Sequence, residues 1–100
     1  MRKIVLVCAQ GMSTGMLMNK MREAAAKQGY ECEISAYPVS QAKAKAEDAD
    51  VVLVGPQVRY ELDNVKKQLP GKPVEVIAMT DYGRLNGENV LNTAKKLIGD

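Results

Sequence analysis

A cysteine followed by a loop rich in glycine and hydroxyl groups is the part of this sequence best suited to chemistry. The loop spans residues 8–15 and reads Cys-Ala-Gln-Gly-Met-Ser-Thr-Gly. An apolar run precedes it and a helical pattern follows, so its N–H groups should converge at a helix N-terminus carrying about half a positive charge. Its glycines let the backbone curl round an anion, and the same positive field stabilises a thiolate. The sequence therefore predicts a nucleophilic Cys8 at the rim of a phosphate-binding loop formed by Ala9, Gln10, Gly11, Met12, Ser13, Thr14 and Gly15. The plain alternative is a buried structural cysteine that ends a strand.

Residue types that the chain lacks narrow the chemistry. There is no His, Trp or Phe, and the only cysteines are Cys8 and Cys32. Without His, neither a Ser–His nor a Cys–His pair can form, and a carried phosphoryl group cannot be attached to an imidazole. Two separated cysteines are too few for a zinc site or a disulfide framework, and Cys32 is interpreted as structural. We expect no metal and no cofactor.

The loop also resembles the signature of the cysteine phosphatases, in which Cys is followed by five residues, Arg and then Ser or Thr. Thr14 holds the position of that arginine, which would clamp the phosphoryl oxygens in the transition state. Hydrolysis also needs an acid, for which Asp81 is a weak candidate. The pattern favours a protein that holds phosphate and passes it on. A small thiol-dependent phosphatase or an arsenate-type reductase is the alternative.

Four side chains outside the loop are expected beside it. Gln57, Arg59 and Tyr60 follow the third predicted strand, and Tyr82 follows the fourth. The carboxyl ends of parallel strands share one end of a sheet. These residues could assist transfer or contact a partner. Three have ordinary alternatives: a solvated Arg59, a Tyr60 packed as a lid on the first helix, and a Tyr82 that anchors its own loop.

Hydrophobic patterns predict alternating strands and helices. Continuous apolar runs indicate central strands buried on both faces, and regular alternation indicates an edge strand. Strands are predicted at 2–9, 31–37, 49–54 and 73–78, and helices at 13–28, 41–47, 58–69 and from about 86 to 98. The first helix brings Met12 and Met16 near the loop, where they would suit an adaptable docking surface if they are not packed in the core.

This alternation indicates an α/β fold with a four-stranded parallel sheet and helices on both faces. The second predicted strand alternates, whereas the first and third contain the uniformly apolar segments Ile4–Cys8 and Val51–Val54. The expected order is therefore 2-1-3-4, a flavodoxin-like three-layer sandwich. Ligands of such sheets bind where the strand order reverses, beyond the carboxyl ends of strands one and three. Cys8 ends strand one and is expected at that point.

Length and charge exclude several classes of protein. The 100 residues suit one domain, residues 1–100. A net charge of +2 with few aromatic residues gives no case for a nucleic-acid partner. No apolar run is long enough for a membrane span or a signal peptide. The sequence is therefore interpreted as a cytoplasmic monomer without direct membrane insertion.

Three segments together resemble enzyme IIB of the bacterial phosphoenolpyruvate-dependent sugar phosphotransferase system, lactose/cellobiose type. They are VCAQGMSTGMLMNKM at 7–21, DVVLVGPQVRY at 50–60 and KPVEVIAMTDYGRLNG at 72–87. The resemblance covers essentially the whole chain and implies a single IIB domain of the type-3 class. It also implies that Cys8 attacks a phosphohistidine on enzyme IIA. The phosphoryl group would then pass to a β-linked disaccharide or glucoside in the membrane permease, enzyme IIC. The resemblance places Gln57 near the phosphocysteine.

Overall fold

A four-stranded parallel sheet forms the centre of the computed structural model, which describes residues 1–9 and 12–100 and, at Met12, the backbone alone. The strands are β1 (Arg2–Val7), β2 (Cys32–Tyr37), β3 (Val51–Val54) and β4 (Val74–Val76). Their order is β2-β1-β3-β4, and every neighbouring pair is parallel. The predicted fold class and strand order are therefore confirmed.

The helices follow the predicted alternation with three differences. They are α1 (Met12–Gln28), α2 (Ala42–Lys45), α3 (Leu62–Gln68), α4 (Met79–Gly83) and α5 (Gly87–Ile98), with 3₁₀ helices at Val39–Gln41 and Pro56–Glu61. The second and third predicted helices each begin as a 3₁₀ helix, since Pro38 and Gly55 are extended residues from which the chain turns tightly. The short α4 was not predicted, because a single turn is too short to show a helical period.

The period-two alternation of the strands divides the core into two layers. In β1, Ile4 and Leu6 point to one face, while Val5 and Val7 point to the other. The first face packs against α1 and α5 through Leu17, Met21, Val90, Leu91 and Ala94. The second packs against α2 and α3 through Ala42, Ala46, Val65 and Leu69. The central strands are continuously apolar and buried over Ile4–Val7 and Val51–Val54, because both of their faces are covered there.

All four strands are shorter than predicted, and β1 ends at Val7 rather than at Ala9. The third strand begins at Val51 rather than at Ala49, and β4 is only the three residues Val74–Val76. In β2, Cys32 is the first residue and is paired with Arg2. Ile34 and its neighbours on the same face pack on α1, and β2 is an edge strand as expected.

The helix α1 approaches α5 closely at Gly87. A Cβ atom on Gly87 would overlap the backbone carbon of Lys20 and the backbone nitrogen of Met21. Glycine is required there because any side chain would force the two helices apart. None of the helices in the described ranges is long and apolar enough to cross a membrane.

Candidate functional site

Cys8 lies at the carboxyl end of the sheet, which we define as the end where Val7, Tyr37, Val54 and Val76 complete their strands. Its backbone N–H donates to the Tyr37 carbonyl oxygen at 3.1 Å, which extends the ladder between β1 and β2 by one residue. On the other side, the Gly55 N–H donates to the Val7 carbonyl oxygen at 2.8 Å. Cys8 is therefore held between the ends of β2 and β3.

The chain leaves β1 and β3 toward opposite faces of the sheet. After β1 it enters α1 on the face that carries Ile4, and after β3 it enters the 3₁₀ helix and α3 on the face that carries Val5. Diverging connections at neighbouring strand ends leave a crevice, the usual ligand site of an open parallel sheet. Cys8 is located there, as the predicted strand order requires.

Gly55 packs directly against Cys8, and the Gln57 side chain lies beside Gly55. A Cβ atom on Gly55 would lie 3.2 Å from Cys8 Cβ and 3.6 Å from Gln57 Oε1. The Gln57 side chain therefore turns back over Gly55 toward the cysteine. Cys8 is only 3% exposed, so its side chain does not project from the surface.

The first turn of α1 begins four residues after Cys8. It contains no acidic side chain, so nothing there neutralises the positive end of the helix dipole. Ser13 is exposed and Gly15 is partly exposed. Thr14 differs from the expectation of a hydroxyl facing the loop: it is buried, and its Oγ1 lies 2.8 Å from the Tyr82 hydroxyl oxygen.

Four residues of the predicted loop remain: Ala9, Gln10, Gly11 and Met12. Ala9 is exposed. Gln10 and Gly11, together with the side chain of Met12, lie outside the described residues. Their predicted role in phosphate binding stays a prediction.

The other candidates divide into exposed and buried residues. Gln57, Arg59 and Tyr60 are exposed, and Tyr60 at 77% does not pack as a lid on α1. Tyr82 is buried at 8%, and its hydroxyl lies against Thr14 at the start of α1. The exposed Met79 at the start of α4 was missed, since an isolated methionine after an edge strand carries no pattern.

Asp81 and Cys32 are the residues considered for the phosphatase and reductase alternatives. Asp81 accepts a hydrogen bond from Asn89 Nδ2 at 2.7 Å. Cys32 lies at the other end of its strand from Tyr37, and burial raises the pKa of its thiol, which disfavours the thiolate.

The sequence is similar to known proteins of one family. The family model described as the lactose/cellobiose-specific IIB subunit of the PTS matches residues 3–93. The galactose-specific EIIB component of Lactococcus lactis subsp. cremoris is 40% identical, over 95% of this chain and 94% of that protein. The oligo-beta-mannoside-specific EIIB component of Bacillus subtilis is 39% identical, over 98% and 97%.

Solved structures extend the similarity to the fold. The cellobiose-specific IIB component from Borrelia burgdorferi has a TM-score of 0.84 at 33% identity, covering 98% of this chain and 92% of that one. The lactose-specific IIB domain from Streptococcus pneumoniae, at 17% identity, has a TM-score of 0.79 with 96% of each chain covered and supports the fold alone. The chain belongs to the family of lactose/cellobiose-specific IIB subunits of the phosphoenolpyruvate:carbohydrate phosphotransferase system.

Proposed function

We propose that Cys8 carries the phosphoryl group in sugar phosphotransfer. It accepts the group from a phosphohistidine on enzyme IIA and delivers it to a β-linked disaccharide or glucoside of the cellobiose, chitobiose or lactose class held by the permease, enzyme IIC. The observation that carries the proposal is the position of Cys8 between Tyr37 and Gly55, at the strand-order reversal and just before α1. The sugars in the relatives' names differ, so the proposal goes no further than this class.

The chemistry consists of two displacements at phosphorus. In the first, the Cys8 thiolate attacks, an S–P bond forms, the N–P bond to the donor imidazole breaks, and the imidazole leaves with the electron pair. In the second, a sugar hydroxyl oxygen attacks, an O–P bond forms, the S–P bond breaks, and the hydroxyl proton is released. Backbone N–H groups at the start of α1 would hold the phosphoryl oxygens in both steps.

Exposed apolar side chains around the crevice support docking of the two partners. Met16, Tyr60 and Met79 are exposed and lie on the three connections that follow β1, β3 and β4. Methionine adapts to surfaces of different shape, and tyrosine is common at the energetic centre of interfaces. A carrier that meets one protein as donor and another as acceptor has use for such a surface at its reactive end.

Two features oppose the phosphatase and reductase alternatives. The position of the phosphatase arginine is occupied by Thr14, a short side chain without a cationic group that is buried against Tyr82. A reductase needs a resolving cysteine within disulfide distance, for which Cα atoms must lie within about 7 Å. Cys32 is at the far end of β2, about 16 Å from Tyr37 by strand rise.

The test is phosphorylation of the purified chain with phosphoenolpyruvate and the upstream phosphotransferase proteins. We expect a single phosphoryl group on Cys8 by mass spectrometry, with the acid and base stability of a phosphothiol rather than of a phosphohistidine. Cys8→Ser should remove it, and Cys32→Ser is the matched control that should retain it. A label on Cys32, or equal labelling of Cys8→Ser, contradicts the proposal.

A further inference from the structure

A buried pair of hydroxyl groups joins the first turn of α1 to α4. Thr14 Oγ1 and Tyr82 Oη are 2.8 Å apart, and the two residues are 68 positions apart in the sequence. Thr14 is 4% exposed and is the one polar residue in the buried core among the described residues. The pair therefore connects the start of the proposed phosphate-binding helix to α4, which follows the last strand, β4.

Burial makes the loss of this contact costly. A hydroxyl removed from water without a partner is costly, whereas a hydrogen bond between two hydroxyls gives each of them a partner. The Tyr82 ring packs in the same core layer as Leu17 and Met21 of α1. Its backbone is fixed in turn, because its N–H donates to the Ala78 carbonyl oxygen at 3.0 Å and its carbonyl oxygen accepts from Leu85 N–H.

We propose that Tyr82 is a positioning residue for phosphoryl transfer. Its hydroxyl, acting through Thr14, fixes the first turn of α1, and with it the direction of the N–H groups that hold phosphoryl oxygens on Cys8. The role rests on the proposed function of Cys8. Tyr82 itself touches neither partner nor phosphate, since its ring is buried and its hydroxyl is engaged by Thr14.

The rest of α1 is held by other contacts. Leu17 and Met21 are fully buried on the sheet, and Gly87 of α5 packs directly on the backbone at Lys20 and Met21. Removing the Tyr82 hydroxyl therefore leaves the middle of the helix in place and releases mainly its first turn. Hydrogen bonds weaken steeply with misalignment, so a small rotation there lowers the rate of transfer without changing how the donor docks.

The test is Tyr82→Phe, which keeps the ring and removes the hydroxyl. With phosphorylated enzyme IIA as donor, we expect the maximal rate of Cys8 phosphorylation to fall about threefold to tenfold, the range of one net hydrogen bond. The donor concentration for half-maximal rate should not change. Thr14→Val should behave in the same way, while Thr14→Ser, which retains a hydroxyl, should recover most of the rate.

Tyr30→Phe is the matched control. The Tyr30 hydroxyl donates to Asp100 Oδ2 at 2.6 Å, at the end of the sheet opposite Cys8, so its removal should leave the transfer rate unchanged. Equal slowing by Tyr30→Phe, a wild-type rate in Tyr82→Phe, or an effect confined to the donor concentration for half-maximal rate would overturn the positioning role. Absence of phosphate from Cys8 in the wild-type chain would instead overturn the proposed function, on which this role depends.

Discussion

The two ends of the sheet are stabilised by different kinds of contact. At the amino end, where the strands begin, the contacts are hydrogen bonds and ion pairs between charged groups. Arg2 donates to both carboxylate oxygens of Asp100 at 2.9 and 3.0 Å, and Tyr30 donates to the same carboxylate. Lys3 Nζ pairs with Asp48 at 2.7 Å. At the carboxyl end, the contacts around Cys8 are backbone hydrogen bonds and close packing, and none of the ion pairs among the described residues lies there.

This difference separates stability from function within one small fold. Fixed carboxylates beside Cys8 would repel a phosphoryl group, whereas backbone N–H groups and a helix N-terminus attract it without a counter-charge. At the amino end no anion has to bind, so carboxylates can be used to fasten the first strand to the last residues. Substitutions at the carboxyl end should therefore change phosphoryl transfer, and those at the amino end should change stability.

The largest expected effect is that of Gly55→Ala. Its added Cβ would lie 3.2 Å from Cys8 Cβ, tighter than nine in ten real contacts of this kind, so the cysteine must give way by a few tenths of an ångström. A displacement near the reacting atom lowers transfer steeply, and we expect a loss of about tenfold or more in the rate of Cys8 phosphorylation. Gly83→Ala is the matched control, because the Cβ it adds meets no atom within 4 Å. Equal rates in both variants would show that packing against Gly55 does not position Cys8.

A smaller effect is expected from Tyr60→Ala. The ring is 77% exposed, so its removal should leave the free energy of unfolding unchanged. If it docks the donor, the concentration of phosphorylated enzyme IIA for half-maximal rate should rise about fivefold to tenfold, as for loss of an aromatic interface residue. Tyr60→Phe, which keeps the ring, should retain most of the affinity. A change in maximal rate alone would argue against a docking role.

Asp100→Asn, at the amino end, is expected to leave the rate of phosphoryl transfer unchanged and to change only the stability. Hydrogen bonds from Arg2 and then from Tyr30 hold the pKa of the Asp100 carboxyl below its usual value. A carboxyl with a lowered folded-state pKa stabilises the fold above its unfolded pKa of about 3.9, and this stability is lost as the pH falls through the lower folded value. Asp100→Asn should therefore lower stability at neutral pH and make its decline below about pH 4 shallower.

Urea unfolding as a function of pH measures this difference, and Glu47→Gln, an exposed carboxylate outside the cluster, is the matched charge control. A steeper acid decline in Asp100→Asn, or a slower transfer of phosphate, would remove the proposed separation between the two ends. The Tyr30 hydroxyl extends the comparison to alkaline pH. Its pKa is raised by burial first and by its bond to Asp100 second, so the stability it contributes is present below pH 10 and declines above it.

Much of the fold was predictable because it follows from local patterns. Uniformly apolar runs marked β1 and β3 as central, and the alternation around Ile34 marked β2 as an edge strand. These features together predicted the strand order, and with it the location of Cys8 at the carboxyl end. The motif around Cys8 was also local, since a strand, a glycine loop and a helix follow one another within a few residues.

Contacts between distant residues were decided by the tertiary structure alone. The sequence predicted Thr14 as part of the phosphate-binding loop. It predicted Tyr82 either as a residue that assists transfer or contacts a partner, or as an anchor of its own loop. Only the packing of α4 against α1 brings their hydroxyls together, across 68 positions. The need for glycine at positions 55 and 87 likewise depends on which backbone lies opposite. Periodicity and turn chemistry determine which elements form and which face of each is apolar, but a side chain's partner depends on the three-dimensional position of an element that the local sequence does not encode.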